Sequence, residues 1–126
     1  MLAVFCGLSA LAGHVWPVWL GFKGGKGVAT AAGILFAMNW IAALIGLGVW
    51  LLFFVPSRRI SLGSIAAAVA VPVANHFTGD HLKARWESPL IVTVFFAVAA
   101  ALVILRHREN IRRLRAGTEP RFGRKP

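Results

Sequence analysis

Apolar runs dominate this chain of 126 residues, and charged positions fall between them. Residues 28 to 55, 60 to 79 and 88 to 105 contain no Asp, Glu, Lys or Arg, and Met1 to Ala12 is apolar as well. A hydrocarbon core about 30 Å thick is crossed by about 20 helical residues, so the runs 60 to 79 and 88 to 105 each predict one span. The run 28 to 55 does not fit that rule. As a single helix it would extend about 42 Å at about 1.5 Å per residue. Asn39 and Trp40 place a polar break near its middle. The pattern therefore predicts two short helices, roughly 28 to 38 and 41 to 55, that dip into the membrane and return. No basic stretch precedes the apolar N-terminal run, which argues against a secretory signal peptide and fits a span entered partway. Gly46, Gly48, Gly63 and the alanines among 66 to 70 suit close helix packing in lipid.

Composition supports the same class. Hydrophobic residues make up 58% of the chain and mean hydropathy is +0.72, more than a soluble domain of this size needs for its core. The expected fold is all-α: a single polytopic membrane domain over 1–126, with short or broken helices around a cytoplasmic-facing site. Cys6 has no cysteine partner, so neither a disulfide nor a cysteine-based metal site can be built, and no metal or cofactor is expected.

The formal net charge of +10 would suit a nucleic-acid binder, but eight of the 14 Lys and Arg residues lie in 106–126, directly after an apolar run. That placement is juxtamembrane. It argues for contact with the lipid bilayer and against nucleic acid as a partner. The positive-inside rule then puts this basic tail in the cytoplasm. Counting back, 88 to 105 leads out to a loop at 78 to 87, where Asp80 and Glu87 balance Lys83 and Arg85, and 60 to 77 leads in again. The turn Pro56-Ser57-Arg58-Arg59 is cytoplasmic by this count, and the broken helix pair returns Lys23 and Lys26 to the same face.

The segment Gly21 to Thr30, GFKGGKGVAT, is where chemistry is expected. Consecutive glycines reach positive φ cheaply and keep side chains away from their amides, so Gly24, Gly25 and Gly27 can form a nest of N–H donors. The helix starting near Val28 adds its N-terminal dipole, and Lys26 a full charge; a phosphate or carboxylate is the ligand such a site favours. It is not a Walker A loop, which would need Gly at position 20 and Ser or Thr at 27, where Leu20 and Gly27 stand. The plainer reading is an interfacial loop whose lysines touch headgroups, bracketed by Trp16 and Trp19. His14, and His107 with Asn110 three residues on, are unremarkable when taken singly. His76 and Asp80 resemble the His-x4-Asp pair of soluble acyltransferases, but three residues separate them and the topology puts them on the far face from Lys26.

Taken together, Gly13-His14-x-x-Pro17 running into Phe22-Lys23-Gly24-Gly25-Lys26-Gly27-Val28-Ala29-Thr30 resembles the second motif of the bacterial PlsY family. The tail RHRENIRRLRAGTEP resembles its third motif, with His107, Asn110, Arg113, Gly117 and Glu119 in matching places, and SLGS at Ser61 to Ser64 resembles a further family segment. The resemblance implies a multi-pass enzyme of the bacterial plasma membrane. It would move a fatty acyl group from acyl phosphate to the 1-hydroxyl of glycerol 3-phosphate, giving lysophosphatidic acid in phospholipid synthesis. It also implies an upstream enzyme that forms the acyl phosphate.

By the same resemblance Lys26 and the amides of Gly24, Gly25 and Gly27 hold phosphate, and Ser64, His107 and Asn110 contact polar substrate groups. His107, Asn110 and Lys26 are the catalytic candidates, with His14, Arg113 and Glu119 as motif or supporting positions. The family's first motif, Ser-Gly-Asn-x-Gly-Ala-Thr-Asn, has no counterpart here. The resemblance thus reads the chain as the C-terminal part of a larger enzyme, about two helices short at its start, and puts the activity of this part alone in doubt. A small membrane anion carrier would also use a glycine-lysine loop beside broken helices. A lipid-binding membrane scaffold would need only the basic tail.

Overall fold

The computed structural model describes residues 2–79 and 88–123, and every regular element among them is helical. The helices are α1 (Leu2–Val15), α2 (Val28–Met38), α3 (Trp40–Ser57), α4 (Ile60–Thr78), α5 (Pro89–Arg106) and α6 (Arg108–Arg115), with a 3-10 turn at Val18–Leu20. By length and composition, four stretches are able to cross a membrane: Leu2–Leu20, α3, α4 and α5. At 11 residues, α2 reaches only about 16 Å and cannot cross by itself.

The long apolar run is two helices, and Asn39 divides them. Its backbone leaves the helical region, at φ −150° and ψ 88°, while its side chain accepts from the Ala42 N–H and caps α3. The chain then doubles back. Leu35 lies beside Gly46, so close that a Cβ on the glycine would sit 3.9 Å from it, whereas a straight helix would hold these residues about 16 Å apart. One detail departs from the sequence expectation, because α3 is not short. It runs through Pro56 to Ser57, a full span. Ser57 Oγ donates back to the Phe53 carbonyl, and Arg58 in the left-handed region (φ 54°) closes the helix by bonding Phe54, so the proline sits in the last turn instead of starting the loop.

Small residues bring the helices together. A Cβ on Gly46 would come within 2.8 Å of Val71, and one on Gly63 within 2.9 Å of the Trp50 carbonyl, so both glycines set the close approach of α3 and α4. Gly48 differs from the expectation: nothing lies within 4 Å of its missing side chain. The main core joins Leu35, Ala42, Ala43, Ala74, Phe95 and Phe96, and a second group of Leu11, Val15 and Ala99 fastens α1 to α5. Many large apolar side chains point outward instead, among them Leu52 and Phe77, which are 69% and 71% exposed. That arrangement is tolerable where the surroundings are lipid.

Polar groups gather at the two ends of the bundle. At one end the buried Asn39 amide donates to Asn75 Oδ1 and Thr78 Oγ1, both at 2.9 Å, and Asn75 donates to Thr93 Oγ1 at 2.8 Å. These bonds join the α2–α3 break to α4 and α5. At the other end the Phe122 N–H donates to the Arg58 carbonyl at 2.6 Å, and Arg106 donates to the Gly24 carbonyl at 3.0 Å. The glycine-lysine loop, the α3–α4 turn and the tail therefore meet at one end, as the count of sides expected. Asp80 and the loop charges Lys83, Arg85 and Glu87 lie outside the described residues.

Candidate active site

The loop after α1 is held by its glycines. A side chain on Gly24 would run into the backbone carbonyls of His14 and Val15, and one on Gly25 into the His14 ring. Gly27 takes φ +78° as it leads into α2, a conformation that strains any other residue. The Gly25 N–H donates to the His14 carbonyl at 3.3 Å, so it is committed within the loop instead of facing a ligand. The glycines at 24 and 25 thus serve close packing of the loop on the end of α1, a demand that a glycine in a sequence does not distinguish from an amide nest.

What the loop presents is Lys26. Its Nζ donates to Asn110 Oδ1 at 2.6 Å, across a gap of 84 positions in the chain. The other side of the same amide, Nδ2, donates to Glu119 Oε1 at 2.7 Å. Ser61 donates to that oxygen at 2.5 Å, and Arg113 Nε to Oε2 at 2.8 Å. Burial opposes the charge on Glu119, but the bonds from Ser61, Asn110 and Arg113 and the positive charge of Arg113 outweigh it and hold the carboxyl below its usual range. The carboxylate thereby turns the Asn110 oxygen toward Lys26.

His107 is buried between α5 and α6. Its Nδ1 lies 2.7 Å from the Val103 carbonyl, which can only accept, so Nδ1 carries the proton and Nε2 keeps its lone pair. Burial lowers the pKa, with help from the Lys26 charge and against the Val103 bond and the Glu119 charge. A neutral imidazole with a free Nε2 is the form a general base requires. Ser64 is less free: its hydroxyl donates to the Ile60 carbonyl at 3.0 Å and accepts from Trp50 Nε1 at 3.3 Å.

These groups lie at one end of a groove of about 920 Å³. Its polar end carries Lys26, Ser61, Ser64, His107, Asn110 and Arg113, with Glu119 and His14 beside them; the rest is an apolar trough between α2, α3, α4 and α5. The structure thus brings together every predicted site residue except Gly24 and Gly25, which shape the loop without lining the groove. His76 is exposed near the opposite end of α4, edge-on to Phe77. Sequence reasoning passed over Ser61 and Trp50. Ser61 precedes Ser64 by three positions, which puts both on one helix face, so its place was readable. Nothing in the sequence marks Trp50 as the partner of Ser64. No group of three or more His, Cys, Asp or Glu side chains able to hold a metal occurs among the described residues.

The chain is similar to known proteins along nearly all of its length. The sequence pattern of the family described as glycerol-3-phosphate acyltransferase matches residues 1–117. The chain belongs to that family. Named glycerol-3-phosphate acyltransferases are similar along nearly all of it. The protein from Synechococcus sp. (strain CC9902) is 47% identical over 122 residues, covering 97% of this chain and 57% of the relative. That from Mesorhizobium japonicum is 46% identical over 123 residues, covering 98% and 58%.

Two crystal structures of PlsY, an integral membrane glycerol 3-phosphate acyltransferase, superpose well. Its glycerol 3-phosphate form gives a TM-score of 0.81 at 43% identity, and its lysophosphatidic acid form 0.82 at 44%. Each comparison covers 95% of this chain and 56% or 57% of the solved one. The chain therefore spans a little over half the length of the acyltransferases it matches. Within the family match fall the glycine-lysine loop, Ser61 to Ser64 and His107 to Arg113, while Glu119 lies just beyond it.

Proposed function

We propose that this groove transfers a fatty acyl group from acyl phosphate to the 1-hydroxyl of glycerol 3-phosphate, yielding lysophosphatidic acid. The observation that carries the reading is a cationic, hydrogen-bonded end at Lys26, Asn110 and His107 that opens directly into an apolar trough. A phosphate on a fatty chain needs both halves. The related PlsY was solved in glycerol 3-phosphate and lysophosphatidic acid forms, a phosphate polyol and a phosphate with one chain, and each suits such a groove.

In the proposed reaction the substrate hydroxyl attacks the acyl carbonyl directly, with no acyl-enzyme. A new ester C–O bond forms, the bond from the carbonyl carbon to the phosphate oxygen breaks, and inorganic phosphate leaves with that electron pair. His107 Nε2 or the substrate's own phosphate takes the hydroxyl proton. Lys26 and the Gly27 end of α2 stabilise the departing charge, and Asn110, Arg113 and Glu119 fix Lys26 in place. Acyl phosphate implies an upstream enzyme that makes it. The polar end, loop and tail face the cytoplasm at the plasma membrane of a bacterium.

The test uses the chain in its full reading frame, purified in detergent and supplied with acyl phosphate and glycerol 3-phosphate. Lysophosphatidic acid should form, and Lys26→Ala should lower kcat/KM by on the order of 100-fold. Turnover near that of the unaltered enzyme would refute the role given to Lys26. For sidedness, Arg115→Cys in a background freed of other cysteines, Cys6→Ser included, should react with an impermeant thiol reagent only in inside-out vesicles. Labelling in intact cells would reverse the orientation.

A further inference from the structure

The walls and the floor of the groove are made of different residues. Ala31, Ala67, Ala68, Ala99 and Ala100 line the walls and keep the trough open, and at the end remote from His107 the lining changes to Leu35, Val71 and Phe96. Leu35 and Phe96 are 5% and 3% exposed, both belong to the main core, and Val71 packs against it. Beyond them lie Ala74 and Phe95, and then the hydrogen bonds of Asn39 and Asn75. Along α4 and α5, the described residues beyond this lining are core and then polar groups, and none of them lines the groove.

We propose that Phe96, with Leu35 and Val71, is the stop that sets how long an acyl chain the groove accepts. This inference rests on the acyl-transfer reading above. The fatty chain comes from lipid or detergent that is as apolar as the trough, so burial by itself does not favour a longer chain over a shorter one. Selection by length must come from fit, and a close-packed floor supplies it. Phe96 precedes His107 by 11 positions on α5, which is about 16 Å along the helix. An extended hydrocarbon chain advances about 1.25 Å per carbon, given bonds of about 1.5 Å in a zigzag. The trough below His107 therefore seats about 13 carbons. A chain two carbons too long must buckle or push its carbonyl back by about 2.5 Å, and a displacement of that size at the reacting atom lowers kcat/KM by on the order of tenfold or more.

Gly46 keeps this depth narrow, since it lets α3 approach Val71 too closely for a methyl group to fit between them. Position 100 stands partway down, seven residues before His107, or about 10 Å and about eight carbons. A large side chain there should act as a false floor.

The experiment measures kcat/KM for saturated acyl phosphates of 8 to 18 carbons with the full-reading-frame enzyme. The unaltered enzyme should show an optimum near 14 carbons and a fall of about tenfold for chains two to four carbons longer. Phe96→Ala should move the optimum two or more carbons longer, and Phe96→Leu, which disturbs the core less, should move it in the same direction by a smaller step. Ala100→Phe should move it to about 10 carbons or fewer. Should Phe96→Ala fail to fold, the other two variants decide. Transfer whose length profile is the same in the unaltered enzyme, Phe96→Leu and Ala100→Phe would overturn the stop while leaving acyl transfer standing. No transfer at any length would overturn the acyl-transfer reading and the stop with it.

Discussion

Glu119 accepts from Ser61, Asn110 and Arg113 at once, so its charge organises the polar end of the groove. Replacing it by Gln keeps the size but puts an N–H₂ where an acceptor is needed. Glu119→Gln should destabilise the fold by about 2 kcal/mol, a value expected when a hydrogen-bonded charge is lost. Thermal unfolding in detergent measures it. The carboxyl's pKa is lowered by folding, so its contribution is complete above the ordinary carboxyl range and disappears as pH falls through the lower folded value. Melting temperature should accordingly drop on acidification below about pH 4.5, and Glu119→Gln should lose most of that dependence. Burial favours the neutral form of His107. If it is the base, the acid limb of kcat should lie below the ordinary histidine value of about 6.5, and His107→Ala should remove that limb.

Among the elements, the junction of α2 and α3 is tied to α4 by a single side chain. Asn39 caps α3 and bonds two residues of α4. A lost cap is worth about 1 kcal/mol, and hydrogen bonds between membrane helices average about 0.6 kcal/mol each. Asn39→Ala should therefore cost about 2 kcal/mol in stability, read by denaturation in mixed micelles. Gly24→Ala should damage activity instead, by tenfold or more, because the new methyl would displace the loop that carries Lys26. Gly48→Ala, with open space around it, should leave both activity and stability near normal.

These elements also mark what could be read from the chain. The break at Asn39 was legible, because a polar residue between two apolar runs of that length leaves one helix too long for a bilayer. The continuation of α3 through Pro56 was not: proline is tolerated near a helix end when the chain can satisfy the freed carbonyls locally, and that depends on Ser57 and Arg58 adopting one conformation. Gly24 and Gly25 were legible as special positions, but whether a glycine serves positive φ, an exposed amide or a tight contact is decided by its neighbours in space.

On the scale of the whole molecule, the sequence carried the sorting of segments between the two ends of the bundle, since charge sits in the turns and the tail and is absent from the spans. It carried the site through two motifs far apart in order, at Gly24 to Thr30 and at His107 to Glu119. It did not carry their pairing, since the bond between Lys26 and Asn110 bridges 84 positions and has no local signature.

The same distances have a consequence in time. A chain is synthesised in one direction, at about 5 to 20 residues per second. Ser61 precedes its partner Glu119 by 58 positions, so at that rate roughly 3 to 12 s pass between their synthesis. During that interval Lys26 is already made while the groups that orient it are not. The nascent protein thus enters the bilayer with its trough forming and its polar end unassembled, and that end is complete only when the carboxylate arrives.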